Sequence, residues 1–135
     1  MMSEDRLRDE ALRWFVQVHR DLNAGQALIS VEPSRSLFFS QQAAEKAIKG
    51  LLSLHEVPFR KTHDLAELGE LCAPLAPSLT PLLDQADDLT DYATTFRYHD
   101  VPIQPGEQEA AAGLDLARRL CDAISALIPP PPPGE

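Results

Sequence analysis

The sequence predicts an all-α fold, an antiparallel up-and-down bundle of four main helices and one short connector helix. Three observations carry this. Apolar residues recur at steps of three and four through most of the chain. No apolar–polar alternation of strand length interrupts them. Prolines fall at the breaks between periodic stretches, where a helix has to stop or start.

The first stripe is Leu7, Ala11, Trp14, Phe15, Val18 and Leu22, giving a helix over about residues 4–29 with Asp and Glu in its first turn, where the helix dipole favours them. Trp14 and the rest of the stripe are expected in the core. Pro33 suits a first-turn position, and Leu37, Phe38, Ala44, Ala47, Ile48, Leu51 and Leu52 mark a second helix to about His55, ended by Pro58. Thr62 is the expected N-cap of a short helix over 63–73, broken by Pro74 and Pro77. Leu79, Leu82, Leu83, Ala86, Leu89, Ala93 and Phe96 predict a fourth helix, followed by a loop bounded by Pro102 and Pro105. The last stripe, over about 107–128, holds Ala111, Leu114, Ala117, Leu120, Cys121, Ile124 and Leu127. Residues 1–128 thus form one helical domain, and 129–135 a disordered, Pro-rich tail that projects as polyproline II.

Composition narrows the function classes. Of 135 residues, 44% are apolar and 24% charged, as in an ordinary globular domain. The formal charge is −9, which argues against long duplex DNA and anionic membrane surfaces as partners. The charge is uneven: residues 1–68 carry nine basic and ten acidic side chains, residues 69–135 three and eleven. No run approaches the ~20 apolar residues of a membrane span, and the first ten residues lack a signal peptide's apolar core, so a cytoplasmic location is expected. Cys72 and Cys121 have no metal-ligand spacing. A Gly-rich phosphate loop, a nucleophile elbow and HExxH are all missing from the sequence, and the histidines at 19, 55, 63 and 99 are scattered, so neither a metal nor a cofactor is expected.

Three segments carry polar chemistry. In the stretch 39–52, Gln41, Glu45 and Lys49 are spaced by four and share a helix row, with Gln42 and Lys46 on the next. Glu45 preceding Lys49 is the favourable order for an exposed pair, so one reading is a solvated face. The other is that Gln42, Lys46 and Lys49 present donors to a nucleotide or partner. His63 stands at a helix start, where it serves a cap network or binds a ligand. In Arg97-Tyr98-His99-Asp100 the arginine suits a phosphate, the histidine moves protons near neutral pH, and the aspartate orients it. Arg97, Tyr98 and His99 are therefore candidate ligand-binding or catalytic residues. The alternative is that Arg97 pairs with Asp87, Asp88 or Asp91.

Trp14, Asp21-Leu22 and Ala24, then Gln41 to Lys49 (QQAAEKAIK), then Thr62-His63-Asp64-Leu65 with Leu68, and finally Tyr92 with Arg97-Tyr98-His99-Asp100 occur in an order and at distances that resemble the HEPN family over about residues 8–125. That resemblance implies a helical bundle that forms a homodimer. It also implies a small nucleotidyltransferase as partner, a toxin–antitoxin setting, and in many members metal-independent RNase activity. In those RNases an Arg and a His with four to six residues between them meet in the dimer cleft. Counted from Arg97 the His positions are Pro102, Ile103 and Gln104, while His99 lies two residues on. Arg13 and His19 satisfy the spacing but lie on the first helix, away from the matching place. Three functions follow as expectations: a module that binds a nucleotide or nucleotidyltransferase, an RNase toxin using Arg97 and His99 on RNA, and a structural helical adaptor.

Overall fold

The structure, a computed structural model, describes residues 3–92, 105–130 and 133. Among them there is no strand, and the elements in order are α1 (Glu4–Leu28), α2 (Pro33–Leu54), α3 (Leu65–Cys72), α4 (Thr80–Ala86) and α5 (Glu107–Ser125), with 3-10 turns at Pro77–Leu79 and Asp87–Tyr92.

Local chemistry explains the boundaries. The Ser3 hydroxyl accepts from the Arg6 N–H and opens α1, with Glu4 and Asp5 in the first turn. Four residues, 29–32, return the chain into α2, and Pro33 fills the first turn there. A connection that short makes α1 and α2 antiparallel neighbours. The helix α2 stops before Pro58 is reached: Glu56 takes φ 55°, a left-handed conformation that an extended helix cannot pass through, and the Val57 N–H turns back to the Leu52 carbonyl at 2.9 Å.

Three expectations need correction. The N-cap of α3 is Asp64, whose carboxylate accepts from the Ala66 N–H at 3.0 Å and from Glu67; Thr62 instead accepts from the Asp64 N–H at 3.1 Å. The predicted fourth helix is divided, with seven α-helical residues giving way to the tighter turn Asp87–Tyr92, while Ala93 and Phe96 lie outside the described residues. That turn brings the Thr90 hydroxyl 3.0 Å from the Leu65 N–H, which the helix itself leaves without a partner. The last helix ends at Ser125, and its exposed Ala111 and Leu127 leave the core to Ala110 and Ile128.

The core sits around α2, which packs against α1, α5 and α3. Ile48, Leu51, Leu52, Leu65, Leu68, Leu120 and Ile124 are fully buried, each contributing about 1.5–3 kcal/mol relative to exposure. Gly113 leaves room for the buried Leu37, since a Cβ there would lie 2.4 Å from Leu37 Cδ2 and the leucine would have to shift. Trp14 sits at the edge rather than inside: it is part-buried, with its Cβ facing Gly50, and lines a shallow depression with Glu10, Arg13 and Gln17.

Candidate functional site

The row Gln41, Glu45, Lys49 is not a solvated face. Gln41 is fully buried, Glu45 is 3% exposed and Lys49 7%. The reason lies in the composition of α2, where Ala43, Ala44, Ala47, Ile48, Gly50, Leu51 and Leu52 are buried on several sides of the helix. A helix that is apolar nearly all round is surrounded by protein, and the polar residues on it are surrounded as well.

Burial at that level demands partners, and they are present. Lys49 Nζ donates to Glu45 Oε2 at 2.8 Å. The other oxygen, Oε1, accepts from Gln41 Nε2 at 3.1 Å and faces His63 Nδ1 at 2.8 Å. Since a carboxylate only accepts, the ring carries its proton on Nδ1 and leaves Nε2 for another group. Gln41 Nε2 also donates to the His63 carbonyl at 3.1 Å, and Gln41 Oε1 accepts from Gln42 Nε2 at 2.7 Å. One turn away, Lys46 Nζ reaches across to Asp21 Oδ2 on α1 at 2.8 Å. The ring of Phe59 lies 5.8 Å from Lys49 Nζ and adds a cation–π contact.

The two carboxylates respond differently to burial. Burial pushes Glu45 up, but hydrogen bonds from Lys49, His63 and Gln41, with the Lys49 charge, outweigh it and hold the carboxyl below its ordinary value. Burial also pushes Asp21 up, and there the hydrogen bond and charge of Lys46 fail to offset it, with Glu45 adding repulsion. The thiols are held far from nucleophilic form by burial, Cys72 pushed up to about 11 and Cys121 to about 12. Among the described residues no group of His, Cys, Asp and Glu is arranged to hold a metal ion.

Of the residues singled out from sequence, the structure brings Gln42, Lys46, Lys49 and His63 into one connected region. It directs both lysine charges inward. His63, with its side chain half exposed, is the member that faces outward. Its part at the start of α3 differs from a cap: Asp64 caps, while His63 ties the loop to α2. Arg97, Tyr98 and His99 lie outside the described residues, as does the pairing expected for Arg97. Sequence reasoning missed Gln41 as the hub and Asp21 as the acceptor for Lys46. A signal for Asp21 exists, since it follows Val18 by three and adjoins Leu22 on the apolar stripe, where a lone carboxylate needs a buried partner.

Chemically the arrangement is a closed set of two cations and two anions, with one outward imidazole oriented by a buried carboxylate. It suits hydrogen bonding or proton exchange at His63 and offers no spare cation from α2.

Comparison with known proteins agrees with this architecture. The family model for the HEPN domain matches residues 8–127. Among solved structures, ST0689, an archaeal HEPN homologue, is similar at 25% sequence identity and a TM-score of 0.68, over 89% of this chain and 98% of that one. The protein TT1696 from Thermus thermophilus is similar at 28% identity and a TM-score of 0.69, over 87% of this chain and 97% of that one. No curated protein matches the sequence significantly.

Proposed function

The chain belongs to the HEPN domain family, and from that premise we propose that it acts as a dimeric binding module in a toxin–antitoxin-type system, engaging a nucleotidyltransferase partner or its nucleotide. The observation that carries this reading is the internal closure of charge along α2. An RNA cleft on so acidic a chain would need Lys46 and Lys49 to add charge beside Arg97, and both lysines are already neutralised by Asp21 and Glu45. The remaining field opposes a polyanion, since each chain carries −9 and a dimer doubles it. A protein surface or a single nucleotide meets a smaller barrier and needs only a few donors. The outward His63 supplies one, and Arg97 with Tyr98 supply others. No described helix is long and apolar enough to cross a membrane.

The test is co-expression with the nearest encoded small nucleotidyltransferase, alongside RNA cleavage assays of the purified dimer in chelator. The expected result is co-purification that weakens in Arg97→Ala and His63→Ala, with no RNA cleaved at any salt concentration. Cleavage by the natural chain that disappears in both Arg97→Ala and His99→Ala would replace this reading with the RNase. A chain that stays monomeric at micromolar concentration ends the dimer argument.

A further inference from the structure

On the side of the molecule formed by α3 and α4 lies a surface groove of about 470 Å³. Its floor is Leu65, Gly69 and Leu83, all buried, and its rim carries the exposed Glu70, Asp84 and Asp87. None of the described residues that line it is basic. The three rim carboxylates make no ion pair with any described residue, in contrast to those of the α2 network. Helix electrostatics sharpen the imbalance. Glu70 lies in the last turn of α3, which has no basic residue there, and the unpaired carbonyls of a helix end already carry partial negative charge. Asp84 stands near the end of α4, which likewise lacks a cation in its last turn. Charge of one sign is thus gathered around an apolar floor, with no cation among the described residues that line it.

Gly69 is the second observation. Glycine inside a helix costs about 1 kcal/mol relative to alanine. Unlike Gly113, this one is not required by packing: a Cβ would sit 3.7 Å from Leu83 Cβ, an ordinary contact. Its backbone is ordinary helix, so conformation does not require it either. What the missing side chain does is deepen the floor between Leu65 and Leu83.

The rim carboxylates are not grouped to hold a metal ion among the described residues, and a hydrated ion would make no use of an apolar floor. We propose that the α3–α4 groove docks a basic amphipathic segment of a protein partner. An aliphatic side chain seats over Gly69, and lysine or arginine heads meet Glu70, Asp84 and Asp87 while their stems cover the walls. This surface is separate from the α2 network and stands whether or not the partner is a nucleotidyltransferase.

The probe is a short fluorescein-labelled peptide with leucines on one helical face and lysines on the other, titrated with the full chain by fluorescence anisotropy. The lysine peptide is expected to bind, and the same peptide with glutamates is not. Neutralising the rim together (Glu70→Gln, Asp84→Asn, Asp87→Asn) removes three exposed pairs and weakens binding about tenfold. Gly69→Met, which fills the floor, weakens it as well, with circular dichroism confirming the fold. An equal neutralisation elsewhere (Asp9→Asn, Asp115→Asn, Asp122→Asn) leaves binding within about twofold of the natural chain. Equal weakening by that control, unchanged binding in the rim variant, or no binding of the lysine peptide overturns the proposal. Displacement of the peptide by millimolar calcium would reassign the groove to a cation. Self-association abolished in the rim variant would reassign it to a second copy of the chain.

Discussion

Lys46 and Lys49 stand three residues apart on α2, and each closes a 2.8 Å ion pair with a carboxylate. The acceptors nevertheless move in opposite directions, the pKa of Asp21 above its ordinary value and that of Glu45 below. Pair distance therefore does not decide the outcome. What differs is the number of donors around each carboxylate. Asp21 has one, Lys46, against the cost of burial and the nearby charge of Glu45. Glu45 has three, from Lys49, Gln41 and His63, arriving from two elements of the fold. A buried charge is held by a full shell of hydrogen bonds more than by a single opposite charge.

The largest test of that contrast is truncation. Glu45→Ala leaves Lys49 buried without its ion-pair partner and strips Gln41 and His63 of a shared acceptor. Breaking one side of a buried pair costs about 3–5 kcal/mol. Asp21→Asn, at a more accessible pair whose side chains retain 20% and 12% exposure, is expected to cost about 1–2 kcal/mol. Urea unfolding at neutral pH measures both. Equal losses would mean that donor number is irrelevant.

How much of this is legible in the sequence depends on which residues are asked about. The long helices are: the step of three and four, Pro33 and the acidic first turns fix α1, α2 and α5 to within a few residues. Burial of Glu45 and Lys49 is not, because an i,i+4 glutamate–lysine pair is spaced identically in water and in a core. The clue lies in Ala43, Ala44 and Ala47 beside them, small residues that allow neighbouring elements to close over a polar row. Nor is the division of the fourth helix visible. The tighter turn that follows Ala86 carries Thr90 to the Leu65 N–H, a bond between residues 25 apart that local spacing does not show. Of the candidate site, local spacing identifies the lysines of α2 and His63, but their direction, inward or outward, is set by α1 and by the loop before α3.

A middle-sized effect separates the carboxylates by pH. Glu45 is lowered in the fold, so its stabilisation is complete above the ordinary glutamate value of 4.5 and is lost as the pH falls through the lower, folded value. Asp21 has the opposite sign. Its folded value is raised, so stability declines as the pH climbs from the ordinary 3.8 to that value, and the penalty is constant above it. In Glu45→Gln the acid-side loss of stability should flatten, and in Asp21→Asn it should steepen, as read from urea midpoints across the acid range. Parallel curves for the two variants would break the comparison.

The finest test removes a single donor. His63 is half exposed, so His63→Ala should cost only about 0.5–1.5 kcal/mol. Its effect on Glu45 is more specific, because the carboxyl keeps Lys49 and Gln41 but loses the donor that comes from the loop before α3. If donor number holds the pKa down, the Glu45 carboxyl must titrate at higher pH in His63→Ala than in the natural chain, while Asp21, which has no bond to His63, stays where it was. Carboxyl carbon shifts followed by NMR distinguish the two groups. An unmoved Glu45 would assign its low value to Lys49 and Gln41 alone and leave His63 as a bystander at the edge of the network. A rise in Glu45 without one in Asp21 would establish that the exposed imidazole and the buried carboxylate act as a coupled pair, so that a ligand binding at Nε2 can be felt inside α2.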